Sequence, residues 1–115
     1  MISGINLTEI VEYTLKGDIE NPTIWKLGII PTKILAQMSS MKDQINMAYV
    51  ILQVGIKGWV NFQGVEYTTV KEKILGTELD VVSQDLINRI PLTAIAELST
   101  KIIEVNKLTV GEIKN

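Results

Sequence analysis

The side chains that could do chemistry in this chain are carboxylates, lysines and aromatics, because it contains no histidine and no cysteine. That excludes His-based hydrolase triads, thiolate nucleophiles, disulfides and the commonest zinc ligands at once. Paired carboxylates are what glycoside hydrolysis or a hard metal ion would need. The pairs nearest in sequence are Glu9 with Glu12, Asp18 with Glu20, and Glu78 with Asp80. Their spacing suits solvated strand and turn surfaces, which explains them without a site. Lys33, Lys57 and Lys73 would be Schiff-base nucleophiles only if desolvated, and nothing in the sequence marks one as such. Gly55-x-x-Gly58 has the look of a phosphate loop, but no Lys-Ser or Lys-Thr pair follows it and the next segment reads as a strand. No catalytic, metal or cofactor residue is therefore assigned, and the chain reads as a non-enzyme.

The aromatics are the more informative group. The chain is 5% aromatic, yet Trp59, Phe62 and Tyr67 fall in the single stretch Lys57 to Tyr67, each ring bringing about 150 to 250 Å² of buriable surface. Trp is enriched at the buried anchors of interfaces, and it is equally a core residue. Trp25 alternates with Leu27 and Ile29, which assigns it to the core. Trp59 admits both readings, since it lies beside two glycines at a helix-to-strand bend where a ring can be offered outward. Trp59, Asn61 and Phe62 are accordingly the candidate protein-binding residues.

The elements that must position these residues can be read from periodicity and caps. Val11, Tyr13 and Leu15 alternate with polar neighbours, as Trp25, Leu27 and Ile29 do beyond the turn residues Gly17 to Pro22, so Glu9 to Ile30 reads as a β-hairpin. Pro31 stops the second strand, and Thr32 is placed to cap a short helix from Lys33 to about Met38. Asp43 caps a helix over Gln44 to Val54, with a broad apolar face built on Ile45, Ala48 and Leu52. Period two returns around Gln63-Gly64, which predicts a second hairpin from Trp59 to about Val70, with Lys71-Glu72-Lys73 as its solvated exit. Ser83 caps a helix carrying Leu86, Ile87 and Ile90, which Pro91 ends. From Leu92 to Val105 the three-and-four spacing of Ile95, Leu98 and Ile102 predicts a helix that faces Ala48, Ile51 and Leu52. Thr109-x-x-Glu112 has the form of a capping box ahead of a frayed final turn. The expected architecture is a single α+β domain, two hairpins packed with two main helices.

Composition narrows the partners. At 115 residues and 46% hydrophobic, the chain can fill a core of its own, and a mean hydropathy of +0.23 leaves apolar side chains for a docking surface. The net charge is −2 and Arg89 is the only arginine, which argues against nucleic-acid binding. No apolar run approaches the roughly 20 residues that a membrane helix takes, and the N-terminus lacks the pattern of a signal peptide.

The chain resembles a group of small tailed-bacteriophage proteins of head and tail morphogenesis, among them tail assembly chaperone-like proteins. The resemblance is carried by residues Asn21-Pro22-Thr23-Ile24-Trp25-Lys26-Leu27-Gly28, Gly55-Ile56-Lys57-Gly58-Trp59-Val60-Asn61-Phe62 and Leu108-Thr109-Val110-Gly111-Glu112-Ile113-Lys114-Asn115. It implies a protein that binds other phage structural or tail proteins, or copies of itself, in the host cytoplasm during assembly or in the virion. The alternative from a different class is a small peptide- or ligand-binding module that uses the aromatic cluster.

Overall fold

The computed structural model describes residues 4–114, and the side chains of residues 4–106. Strands β1 (Ile10–Tyr13) and β2 (Ile24–Gly28) are followed by helices α1 (Thr32–Met38) and α2 (Gln44–Gly55), then β3 (Ile56–Val60). Strands β4 (Thr69–Ile74) and β5 (Thr77–Val82), helix α3 (Gln84–Ile87) and the long helix α4 (Leu92–Lys114) complete the chain. The strands form two antiparallel sheets, ordered β1-β2-β3 and β4-β5, so the class is α+β as the mixed periodicities imply. The first hairpin pairs as expected, with Tyr13 opposite Trp25 and Val11 opposite Leu27.

The second hairpin is not where the sequence places it. A tight turn does form at Gln63-Gly64, with Gly64 at φ 80° and the Val65 N–H donating to the Phe62 carbonyl at 3.0 Å, but no ladder continues from it. β3 instead pairs back onto β2, Trp59 opposite Trp25, with a register shift at Lys26/Leu27 that leaves Lys57 as the extra residue of a bulge. The hairpin that does form is β4-β5, and Lys71-Glu72-Lys73 lies within its edge strand rather than beyond a strand's end. Charged residues on an edge strand hinder pairing with another chain, which reconciles their solvation with strand geometry. Its two-residue loop is Leu75-Gly76, with φ of 48° and 85°. Left-handed values at both central positions are what a tight two-residue hairpin loop requires. Leucine is a costly residue there, and its side chain is half-buried against the core.

The helix signals are local and mostly hold. The Asp43 carboxylate accepts from Ile45 N and Asn46 N, and the Ser83 hydroxyl accepts from Leu86 N. Thr32 is the first helical residue of α1 rather than its cap, because Pro31 precedes it and its carbonyl takes the amides of Ile34 and Leu35. The α2 stripe is also corrected: Ile45 is 71% exposed, and the buried part is the last turn, Ile51 to Gly55. On α4 the inward face is Ala94, Leu98 and Ile102, with Ile95 half-buried beside them. The Thr109 capping box falls on α4 residues whose side chains lie outside the described set.

Helix α4 crosses α2 at Gly55, and this is one place where a glycine is obligatory. A Cβ built there would lie 2.6 Å from Ile102 Cγ2 and 2.9 Å from Ile102 Cδ1, and Ile102 is fully buried and cannot swing away. At an unobstructed helical position, Gly→Ala adds up to about 1 kcal/mol of stability. Gly55→Ala should reverse that sign and lose about 1 to 3 kcal/mol through overpacking in a denaturant titration. A stabilised variant would show that the two helices do not meet at this point.

Candidate functional site

Four of the six aromatic residues assemble into one box. Trp25 and Trp59 meet edge to face at 5.7 Å between centroids, Phe62 lies 5.2 Å from Trp25 and 5.4 Å from Trp59, and Tyr67 stands perpendicular to Trp59 at 5.0 Å. These are the separations and tilts that aromatic quadrupoles favour. Loop 61–68 wraps the end of β3 to make the box, since the Trp59 indole N–H donates to the Val65 carbonyl at 3.0 Å and the Tyr67 hydroxyl to the Ile56 carbonyl at 3.1 Å.

This geometry separates the three candidate binding residues. Trp59 is only 8% exposed, so its ring is a core element and not an outward anchor; of the two glycines before it, Gly55 lies against the Ile102 side chain and Gly58 against that of Lys26. Asn61 is exposed but occupied: at φ 64° it donates through Nδ2 to the Asn21 carbonyl at 2.7 Å, and its own carbonyl accepts from the Thr23 hydroxyl at 2.8 Å. It ties the β3 exit to the β1-β2 connection. Phe62 alone is half-buried and reaches the surface.

Where Phe62 emerges, a groove of about 490 Å³ runs between the β1-β2 connection and the start of α4. Leu15, Trp25, Phe62 and Ala94 give it apolar walls, while Asp18 and Glu97 supply carboxylates. A second depression of about 610 Å³ adjoins it across Thr93 and Glu97, and contains Tyr13, Lys16 and Lys101. The Trp25 indole N–H is buried with no acceptor among the described residues.

Glu97 is the polar centre of this face. One of its oxygens accepts from the Tyr13 hydroxyl in a short hydrogen bond and from the Lys16 backbone N–H at 2.9 Å. Donation from Tyr13, then from the Lys16 amide, holds the Glu97 carboxyl below its ordinary pKa. The same hydrogen bond, followed by burial and the nearby negative charge, pushes Tyr13 up to about 12. Lys101 stacks its ammonium 5.5 Å from the Tyr13 ring centroid and approaches Glu104 at 3.9 Å.

The other chemistry-bearing residues are scattered. Glu9, Glu12, Glu20, Glu78 and Asp80 are exposed, and no group of three acids able to hold a metal ion occurs among the described residues. Lys33 and Lys73 are exposed. Lys57 is half-buried at the bulge with its stem across Gly28, and desolvation lowers its pKa. Glu97 was missed as a site residue because its partner is set by packing, Tyr13 and Glu97 standing 84 positions apart, while Asp18 was read as half of a solvated carboxylate pair with Glu20 and is instead half-buried on the groove. The alternation at Tyr13 and the polar face of α4 were the only local signals.

Comparison with protein-family models, with curated proteins and with solved structures finds no match for this chain. Among the described residues no helix is long and apolar enough to cross a membrane.

The Tyr13–Glu97 bond should govern stability at both ends of the pH scale. Glu97, with a depressed folded pKa, contributes stability that is present above the ordinary carboxylate value and lost as pH falls through the folded one. Tyr13, with a raised folded pKa, contributes stability that is present below 10.0 and lost as pH rises toward about 12. Tyr13→Phe should flatten the alkaline decline and shift the acid one toward the unperturbed range in urea titrations across pH. Unchanged profiles would mean the bond does not persist in solution.

Proposed function

We propose that this chain is a non-enzymatic protein-binding component of tailed-bacteriophage assembly, acting in the host cytoplasm or as part of the virion. The observation that carries the reading is the groove beside Phe62. It is a concave, largely apolar surface whose walls are also the aromatic box, so its shape is held by the core and costs little to organise on binding. Peptide and protein recognition commonly uses such a ready-made apolar cleft with a few polar groups at its rim. The resemblance of the Trp25 and Trp59 stretches to phage morphogenesis proteins supplies the partner class: tail, neck or capsid proteins, or further copies of this chain. The groove also suits the alternative, a small ligand-binding module, because a cavity of about 490 Å³ is within the range of small-molecule sites.

Co-expression with tail, neck and capsid proteins, followed by size-exclusion chromatography with light scattering, tests the choice. The expected result is a stable complex with one of them that Phe62→Ala weakens by about thirtyfold, or roughly 2 kcal/mol, while the variant stays folded. A chain that remains monomeric beside every such protein, and whose melting temperature rises with a metabolite, would favour the ligand-binding module instead.

A further inference from the structure

We propose that the Phe62 groove receives a lysine or arginine side chain of the partner protein; this rests on the protein-binding reading above and names what the partner must present. Charge complementarity carries the argument. The groove has two carboxylates, Asp18 and Glu97, and no basic residue among those that line it. Each carboxylate is held by one oxygen: Asp18 Oδ2 accepts from the Thr23 N–H at 2.9 Å, and Glu97 Oε2 accepts from Tyr13 and the Lys16 amide. The second oxygen of each has no hydrogen bond or ion pair among the described residues.

Carboxylates anchored through one oxygen are oriented in advance, so the free oxygen can meet a cation without losing further side-chain freedom. The half-exposed Phe62 ring stands on the same groove, and aromatic faces attract ammonium and guanidinium groups. An apolar stem along Leu15 and Phe62 with a charged head at the carboxylates is the shape of a Lys or Arg side chain. The chain's own nearby cations line the adjoining depression and not this groove: the Lys16 charge reaches Glu97 from there without an ion pair, and Lys101 is engaged with Tyr13 and Glu104. The depressed pKa of Glu97 keeps its carboxylate ionised near neutrality.

The test uses the full chain, labelled with ¹⁵N, titrated with N-acetylated, C-amidated tripeptides that carry arginine, lysine, norleucine or glutamate at the centre. The arginine and lysine peptides should shift the amides of Asp18 and Phe62 and the Trp25 indole signal saturably, and more weakly at high salt. Norleucine and glutamate should not. Asp18→Asn and Glu97→Gln keep an acceptor for Thr23, Tyr13 and Lys16, so the fold is preserved, and each should weaken the arginine peptide at least about fivefold. Equal shifts with norleucine, unchanged affinity in both variants, or shifts confined to residues outside the groove would overturn the proposal. Capture of a phage protein that survives in the doubly substituted, folded chain would overturn this inference alone. Arginine-peptide binding without any phage partner would count against the assembly reading instead.

Discussion

Everything in this fold depends on α4 being clamped across the end of β2, and the clamp is the amide of Asn106. That side chain is 4% exposed and accepts from the Ile30 N–H at 2.8 Å through Oδ1. Through Nδ2 it donates to the Gly28 carbonyl at 3.3 Å and to the Ile102 carbonyl, one helical turn back, at 2.8 Å. The Ile30 donor fixes which end of the amide is oxygen, and both ends are then used. A buried backbone N–H and C=O left unpaired where β2 stops would each cost about 1 to 3 kcal/mol. Asn106 satisfies them with a group that also belongs to α4, so strand exit and helix position become one constraint.

From that constraint the functional face follows. Gly55 lets α4 lie against the last turn of α2, and β3 starts at the next residue and runs back along β2. Trp59 is thereby set opposite Trp25, and loop 61–68 folds over the pair, bringing Phe62 to the surface beside the first turns of α4. Glu97 projects from those turns to Tyr13 and the Lys16 amide, which closes the same face from the β1 side. The groove is what remains between the β1-β2 connection, Phe62 and the first turns of α4. Gln53 makes the corresponding link to the smaller sheet, donating to Glu72 and to the Val82 carbonyl from a fully buried position.

What was legible in the sequence was what depends on near neighbours. The alternation around Tyr13 and Trp25, the caps at Asp43 and Ser83 and the stripe through Leu98 and Ile102 each specify an element by contacts within a few residues. The pairing of β3 was not legible, because period two marks a strand without naming its partner, and Val60 and Val65 alternate plausibly on either side of Gly64. Strand β4 was hidden by Lys71 and Lys73, which satisfy the needs of an edge as well as those of a loop. Its turn was hidden by Leu75, whose left-handed backbone is supported by packing and not by the residue's own preference. Asn61 and Trp59 show the same limit at the site: glycines beside an aromatic signal close packing, and whether the ring faces in or out is decided by Trp25, 34 positions earlier in the chain. Asn106 itself gave no signal, since a lone asparagine on a helix reads as solvated until the strand end that it serves is known.

The measurement closest to the central claim is the unfolding free energy of Asn106→Leu, which keeps the side-chain bulk and removes its polar atoms. If the amide is the clamp, the variant removes the acceptor of the buried Ile30 N–H and the donor to the Gly28 carbonyl, and should lose at least about 2 kcal/mol in a denaturant titration. Stability within about 0.5 kcal/mol of the native chain would contradict the account, because it would mean that α4 holds its place without the Asn106 amide.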